Sequence, residues 1–349
     1  MGKDESSLEE SRKIREMLTA RWGSIPGSIM RAQWGTSVID LSTSYQDQKA
    51  DSKWADTPFS LSSVGARHGG LSRMPQNVVR FATQFFTLDK LPVGDLGYFG
   101  NGLPTVLDPF AGHNSRLEAV FRSNRNYVGW DVSANFMRLN RQVKAMLEEE
   151  NSRALFPIEA KMELVEGDSR DINYEGMFDF CTTSPPFYDL ELDSYGPEIE
   201  QLGRGKSYND FLWSLGQVVK SCYRALKPGA FIAWEFNDFR RDGEWYPFHA
   251  DAIELFKRAE FQPWDIIIID YGSGFLEAFA SDIAHHHIVS KQHSYLIIGR
   301  KRPAQYRQLK RQETRERLLN EVQEAKVEGS LIHQPSLFQT GVEEELPDI

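Results

Sequence analysis

Three short apolar runs in the middle of the chain each finish at an aspartate. Thr105–Leu107 runs into Asp108, Tyr127–Trp130 into Asp131, and Met162–Glu166 into Gly167-Asp168. The stretches between them, Ser115–Ser123 and Phe136–Glu150, carry the apolar spacing of helices. Strands separated by segments this long cannot form hairpins. They must run parallel, with helices crossing over the sheet.

The same alternation continues on both sides. A helix is expected over Asn77–Leu88, a fourth strand over Phe178–Thr183, and a long helix over Phe211–Leu226 closed by Lys227-Pro228-Gly229. Ala230–Phe236, Trp264–Asp270 and Ser294–Gly299 read as the fifth, sixth and seventh strands, with a helix over Ala250–Ala259. The expected fold class is therefore α/β, with a doubly wound, mostly parallel seven-stranded sheet. Residues 1–65 read as an N-terminal extension, with a short helix over Leu8–Arg21. Residues 66–302 form the main domain, and 303–349 a basic helix followed by a disordered tail.

Composition sets outer limits on function. Of 349 residues, 40% are hydrophobic and 26% charged, as in soluble globular proteins. No run approaches the ~18 apolar residues of a membrane helix. The start, MGKDESSLEESRK, resembles neither a signal nor a transit peptide. Two cysteines, Cys181 and Cys222, make no disulfide framework, so a reducing, cytoplasmic setting (a bacterial or phage-infected cell) is expected. A net charge of −10 argues against indiscriminate nucleic-acid binding. Locally, though, Arg300–Arg317 holds eight basic residues against Glu313 and Glu316, which suits either a phosphate-binding stripe or a solvated helix face.

Ligands of open parallel sheets bind beyond the carboxyl ends of the strands, where Asp108, Asp131 and Asp168 are expected to lie. A nucleoside-type cofactor uses such acids on ribose hydroxyls and on an adenine amino group. In Asp108-Pro109-Phe110-Ala111-Gly112, the glycine lets the backbone approach a ligand. The fourth strand runs into Ser184-Pro185-Pro186-Phe187-Tyr188. Two successive prolines stiffen the backbone and remove two donors, leaving carbonyls free to accept from an amino group, while an aromatic ring beside them can stack on a base.

The pair DPFAG and TSPPF resembles the amino-directed, S-adenosylmethionine-dependent DNA methyltransferases, the N4-cytosine and N6-adenine enzymes. The likeness spans roughly Gly69 to Arg302 and includes Gly129-Trp130-Asp131, Gly167-Asp168-Ser169-Arg170 and Leu226-Lys227-Pro228-Gly229. It implies a Rossmann-like methyltransferase fold with S-adenosylmethionine as cofactor, and DNA as partner, its target base flipped out of the stack. It also implies cofactor contacts from Asp108, Phe110, Gly112, Asp131 and Asp168, with Pro75, in Met74-Pro75-Gln76-Asn77, on a further wall of that pocket. Ser184, Pro185, Pro186 and Phe187 would be catalytic. Tyr188, Arg204 and Lys206 would contact the substrate. The chemistry implied is direct displacement, which needs no cysteine nucleophile, and no Pro-Cys pair occurs. Serine ahead of the prolines is more typical of cytosine N4 than of adenine N6 enzymes.

One departure is His113-Asn114-Ser115, where the family usually has a second glycine two residues after Gly112. His285-His286-His287 and His293 lack a completing Cys or carboxylate spacing, so no metal is expected. Gln334-Pro335-Ser336-Leu337-Phe338 is similar to the short peptides with which DNA enzymes dock on bacterial sliding clamps. Arg240 and Arg241 follow the fifth strand, where they either reach phosphate or stand exposed. Two other readings fit the same motifs: an RNA or nucleotide amino methyltransferase, and a catalytically degenerate module that binds DNA or a partner.

Overall fold

A computed structural model describes residues 12, 15–16, 27–32, 74–87, 102–112, 115–188, 202, 207–241, 243–271 and 292–303. The chain divides into two compact units, Met1–Lys301 and Arg302–Ile349. All but the first two residues of the second unit lie outside the described residues, with the basic stripe beyond Pro303 and the Gln334–Phe338 peptide among them.

The strands are β1 (Ile29–Arg31), β2 (Thr105–Asp108), β3 (Asn126–Asp131), β4 (Met162–Glu166), β5 (Phe178–Thr183), β6 (Leu226–Phe236), β7 (Phe239–Arg241), β8 (Glu244–Tyr246), β9 (Gln262–Asp270) and β10 (His293–Arg300). The helices are α1 (Gln76–Phe86), α2 (Ser115–Arg122), α3 (Ala134–Ser152), α4 (Tyr208–Ala225) and α5 (Phe248–Arg258). Among the described residues one sheet has eight strands, in the order β1-β9-β10-β6-β5-β2-β3-β4. Only β10 is antiparallel to its neighbours, β6 and β9. The sheet is thus mostly parallel, as expected, with one strand more than the seven read from the sequence. The addition is β1, from the N-terminal region, which pairs in parallel with β9 through Ile29↔Ile268.

Alternation along the strands gives two cores, one on each face. Leu107, Cys181, Ile232, Trp234 and Phe236 point to the face covered by α4 and α5. Val106, Phe180, Ala233, Leu296 and Ile298 point to the opposite face, under α1, α2 and α3. Helix α4 shows why it sits where it does: Phe211, Leu215, Val218, Val219, Cys222 and Ala225 are buried and recur at helical spacing on one side. Its first turn is capped by Ser207, whose hydroxyl oxygen accepts from the Asp210 amide at 3.1 Å.

Two local differences from the sequence reading have simple causes. Lys227-Pro228-Gly229 ends the helix as expected, but strand β6 begins immediately, because Leu226 already pairs with Phe178 across a register shift. The hairpin β7–β8 was not expected. It folds around Gly243, at φ +83°, and stacks Phe239 on Tyr246 with ring centroids 4.9 Å apart.

Candidate active site

The order of the sheet reverses between β2 and β5. From β2 the chain builds outward through β3 and β4, and from β5 outward through β6. Strands that part in this way open a crevice beyond their carboxyl ends. The Asp108–Gly112 turn and the Ser184-Pro185-Pro186-Phe187 segment leave the sheet on its two sides.

A single carboxylate ties these walls together. Asp108 Oδ1 accepts the Thr183 hydroxyl at 2.6 Å, and Oδ2 accepts Arg116 Nε at 2.7 Å and the Tyr127 hydroxyl at 2.8 Å. Its donors come from β5, α2 and β3. The Asp108 side chain has no exposed surface. The resemblance assigns Asp108 to the cofactor; in the structure its oxygens accept from these three side chains, and it shapes the turn that a ligand would meet. Burial pushes the Tyr127 phenol well up, and the adjacent Asp108 charge adds to this.

Arg116 works as a clamp from the first turn of α2. Beyond its ion pair with Asp108, it donates to the carbonyls of Phe110 and Ala111, the latter at 3.2 Å. Burial opposes its positive charge and Asp108 restores it, with a net raised pKa. Gly129 makes the tyrosine contact possible, because a Cβ there would lie 2.6 Å from the Tyr127 ring. The glycine of Gly129-Trp130-Asp131 is thus required by a side chain two residues before it.

Asp131 ends β3 and closes the same turn from the other side. Its Oδ2 accepts the Gly112 amide and its Oδ1 the Ser133 amide, both at 2.8 Å. Gly112 has φ +41°, a left-handed conformation that favours glycine, and its carbonyl accepts Asn140 Nδ2 at 2.8 Å. Burial lifts the Asp131 carboxyl to about 6, although the two amides pull it back. Asp168 lies at the end of the β4 segment and is paired with Arg170, at 2.9 Å to Nε and 2.5 Å to Nη2. The next residue, Ser169, donates to the Pro109 carbonyl, which joins this segment to the turn.

Across the crevice, Pro185 is buried and Ser184, Pro186, Phe187 and Tyr188 are partly so. Phe187 meets Phe239 edge-on at 6.3 Å, and Tyr188 lies against Tyr208 and Phe211 at 5.6 and 5.8 Å. Phe110 meets Trp234 edge-on at 5.8 Å. Pro75 is buried at the start of α1, where its carbonyl accepts from Val78 and Val79, both at 3.1 Å.

The structure therefore gathers Asp108, Phe110, Gly112, Asp131, Asp168 and the diproline segment at one end of the sheet. Arg204, Lys206, His113, Asn114 and His285–His287 lie outside the described residues. Among the described residues, no cluster of His, Cys, Asp and Glu could hold a metal ion, and no helix is long and apolar enough to cross a membrane. His293 is engaged with the Tyr295 hydroxyl at 3.0 Å.

The roles of several residues of the site are not marked in the sequence, although Thr183 opens the TSPPF run. Arg116, Tyr127 and Thr183 acquire their roles only when three elements meet at Asp108. Glu235 is a further one: it is buried on β6, and its Oε1 accepts Ser294 Oγ at 2.6 Å and the Tyr271 hydroxyl at 2.5 Å. Burial raises its carboxyl, against the pull of the two hydroxyls and of Arg116.

Neither any protein-family model nor any curated protein matches the chain. Solved structures that resemble it include methyltransferases, among them S-adenosylmethionine-dependent ones, and a [4+2]-cyclase. One, from Methanosarcina mazei, is 13% identical, with 62% of this chain aligned to 100% of that one at a TM-score of 0.37. A candidate methyltransferase from Bacillus halodurans is 14% identical over 60% of this chain and 99% of its own, at 0.37. A candidate DNA modification methylase from Thermus thermophilus, in complex with S-adenosyl-L-methionine, is 26% identical over 40% of this chain and 54% of its own, at 0.30.

Proposed function

We propose that this chain is an S-adenosylmethionine-dependent methyltransferase that modifies the exocyclic amino group of a flipped DNA base, with cytosine N4 favoured over adenine N6. The observation that carries the reading is the 2.6 Å bond from Thr183 Oγ1 to Asp108 Oδ1. It joins the diproline segment to the glycine turn across the reversal point of the sheet, so a donor on one wall and an amine on the other would share one crevice.

The residues present fit the cofactor. A sulfonium carries positive charge, and of the two carboxylates that shape the turn Asp108 is paired with Arg116 while Asp131 accepts only backbone amides and keeps its charge for a ligand. At Gly112 an added Cβ would sit in ordinary contact with the Phe110 carbonyl at 3.6 Å, so it is the left-handed φ of +41° that calls for glycine in the turn a ligand would meet. Trp130 Nε1, near the end of β3, is buried and has no hydrogen-bond partner, an unsatisfied donor at this end of the sheet. Asp131, whose oxygens each retain a second lone pair, would take the ribose hydroxyls. Asp168, the turn around Phe110 and Gly112, and Pro75 would complete the pocket. When bound, the group supplies an electrophilic methyl.

The chain's own residues account for the other half of the reaction. Phe187, held edge-on by Phe239, would stack on the base. The Ser184 hydroxyl and the Pro185 carbonyl would accept the amino hydrogens and turn the nitrogen lone pair out of conjugation with the ring. Positioning is the main source of acceleration in such a site. Tyr188, packed against Tyr208 and Phe211, is proposed to contact the substrate, and Arg204 and Lys206 the DNA backbone. Ser184→Ala and Phe187→Ala test this directly. Both variants are expected to bind S-adenosylmethionine in calorimetry as the parent does and to lose methyl transfer to DNA. Full activity in either variant overturns the site.

The peptide Gln334–Phe338 is proposed to dock on a sliding clamp. Equal clamp binding by a chain ending at Gly329 would exclude that partner.

A further inference from the structure

The carboxyl end of β6 carries a second group of titratable side chains, separate from the aspartate turn. Asn237 and Asp238 follow the strand, and Asp238 is buried. Asp238 Oδ1 lies 2.6 Å from the ring Nδ1 of His249 and accepts the His249 backbone amide at 3.1 Å. A ring nitrogen facing a buried carboxylate is the donor, so in the neutral imidazole Nε2 is the acceptor. The imidazole lies flat on Tyr295, with centroids 4.1 Å apart and planes at 18°. It is thereby fixed at one edge and on one face, yet 24% of the His249 side chain remains exposed.

A ring contact and the strand register connect this pair to the diproline segment, and a buried polar atom lies between them in sequence. Phe239, the neighbour of Asp238, is the ring that meets Phe187. Asn237 Oδ1 is buried with no hydrogen-bond partner. Thr183 pairs with Trp234, so the segments that follow β5 and β6 leave the sheet side by side.

Amino methylation needs a proton acceptor. As the amine nitrogen of R–NH2 bonds to the sulfonium methyl, the S–C bond breaks with its electron pair left on sulfur as a neutral thioether, and the positive charge passes to R–NH2CH3. The product R–NHCH3 forms when one N–H bond breaks, its electron pair stays on nitrogen and a proton departs. Ser184 and Pro185 offer a hydroxyl and a carbonyl, which orient an amine but are too weakly basic to keep its proton.

We propose that His249, oriented by Asp238, accepts this proton at Nε2, directly or through one water, and releases it to solvent from its exposed edge. The assignment rests on the amino-methylation reading above. The groups facing the imidazole are Asp238 after β6 and Tyr295 on β10, with His293 behind Tyr295 and Tyr208 of α4 close to Asp238.

The test uses the full chain with His249→Gln and Asp238→Asn, single-turnover methylation of a DNA duplex from about pH 5 to 9, cofactor calorimetry and nitrogen-15 spectra of the histidines. Cofactor affinity should be unchanged in both variants, which also reports folding. His249→Gln should lower the single-turnover rate about a hundredfold and abolish the acidic limb of the pH profile. Asp238→Asn keeps an acceptor for both donors and should lose about tenfold. Spectra of the parent should show Nδ1 protonated and Nε2 bare. An unchanged rate and profile in His249→Gln, a loss confined to DNA affinity, or a protonated Nε2 overturns the proposal while leaving amino methylation standing. A parent protein that neither binds the cofactor nor methylates DNA overturns both.

Discussion

Thr183→Val isolates the bond on which the site depends. The substitution removes one hydroxyl, replaces it with a methyl of similar size, and leaves the buried packing of β5 intact. The hydroxyl is 2.6 Å from Asp108 Oδ1, and Thr183 has no exposed surface, so no water takes its place. A hydrogen bond to a charged acceptor contributes about 1.5–3 kcal/mol. Asp108 keeps Arg116 and Tyr127, so the variant escapes the ~3–5 kcal/mol that an orphaned buried charge costs. Against a domain stability of about 5–15 kcal/mol, the fold survives. The diproline segment, however, loses its tether to the glycine turn, and a displacement of about 1 Å at a reacting centre costs on the order of a hundredfold in rate. Urea denaturation should show the loss of stability, calorimetry a cofactor affinity within about threefold of the parent, and single-turnover assays a rate lower by about ten- to a hundredfold. A variant within about 0.5 kcal/mol of the parent and fully active would refute the view that this bond positions the two walls.

Three further outcomes follow from the same bonds. Arg116→Met leaves Asp108 buried without its cation and should cost about 3–5 kcal/mol, read by urea denaturation; an effect below about 1 kcal/mol would mean that the clamp is dispensable. Gly129→Ala drives a Cβ into the Tyr127 ring and should cost about 1–3 kcal/mol, with Tyr127→Phe adding less in the double variant than alone, because the alanine has already displaced the phenol. Asp131 has a folded-state carboxyl raised from 3.8 to about 6, so the native state binds its proton more tightly than the unfolded chain does. Its contribution to stability is complete below about pH 4 and lost as pH rises through 6, by up to about 3 kcal/mol. Cofactor affinity should run the other way and weaken as Asp131 loses its charge below pH 6. Asp131→Asn should flatten both dependences, and a parent and variant with parallel pH curves would exclude the assignment.

Much of this architecture is legible in the chain because local signals and global topology agree. Strands β4 and β5 fall on the residues expected, since each is an apolar run bounded by glycine, proline or aspartate. The strand-end aspartates announce the crevice for the same reason. Short elements escape: β1 has three residues and depends on β9 for its hydrogen bonds, and β7–β8 presents only Asp242-Gly243 between arginines and aromatics. The roles within the site are the least legible. Asp108 reads as a ligand for a cofactor, but Thr183, Tyr127 and Arg116, drawn from 75, 19 and 8 residues away, enclose it. Asp238 and His249 are 11 apart in sequence, and nothing in their spacing marks them as a pair before α5 brings the ring onto Tyr295.

The most direct measurement of the central claim is nucleoside mass spectrometry of duplex DNA incubated with the protein and methyl-labelled S-adenosylmethionine, with RNA and free nucleotides treated in parallel. The expected result is label on an exocyclic amino group, N4-methylcytosine ahead of N6-methyladenine, in the DNA alone. Label on cytosine C5, label only in RNA or nucleotides, or no label in any sample from a protein that binds the cofactor would contradict it.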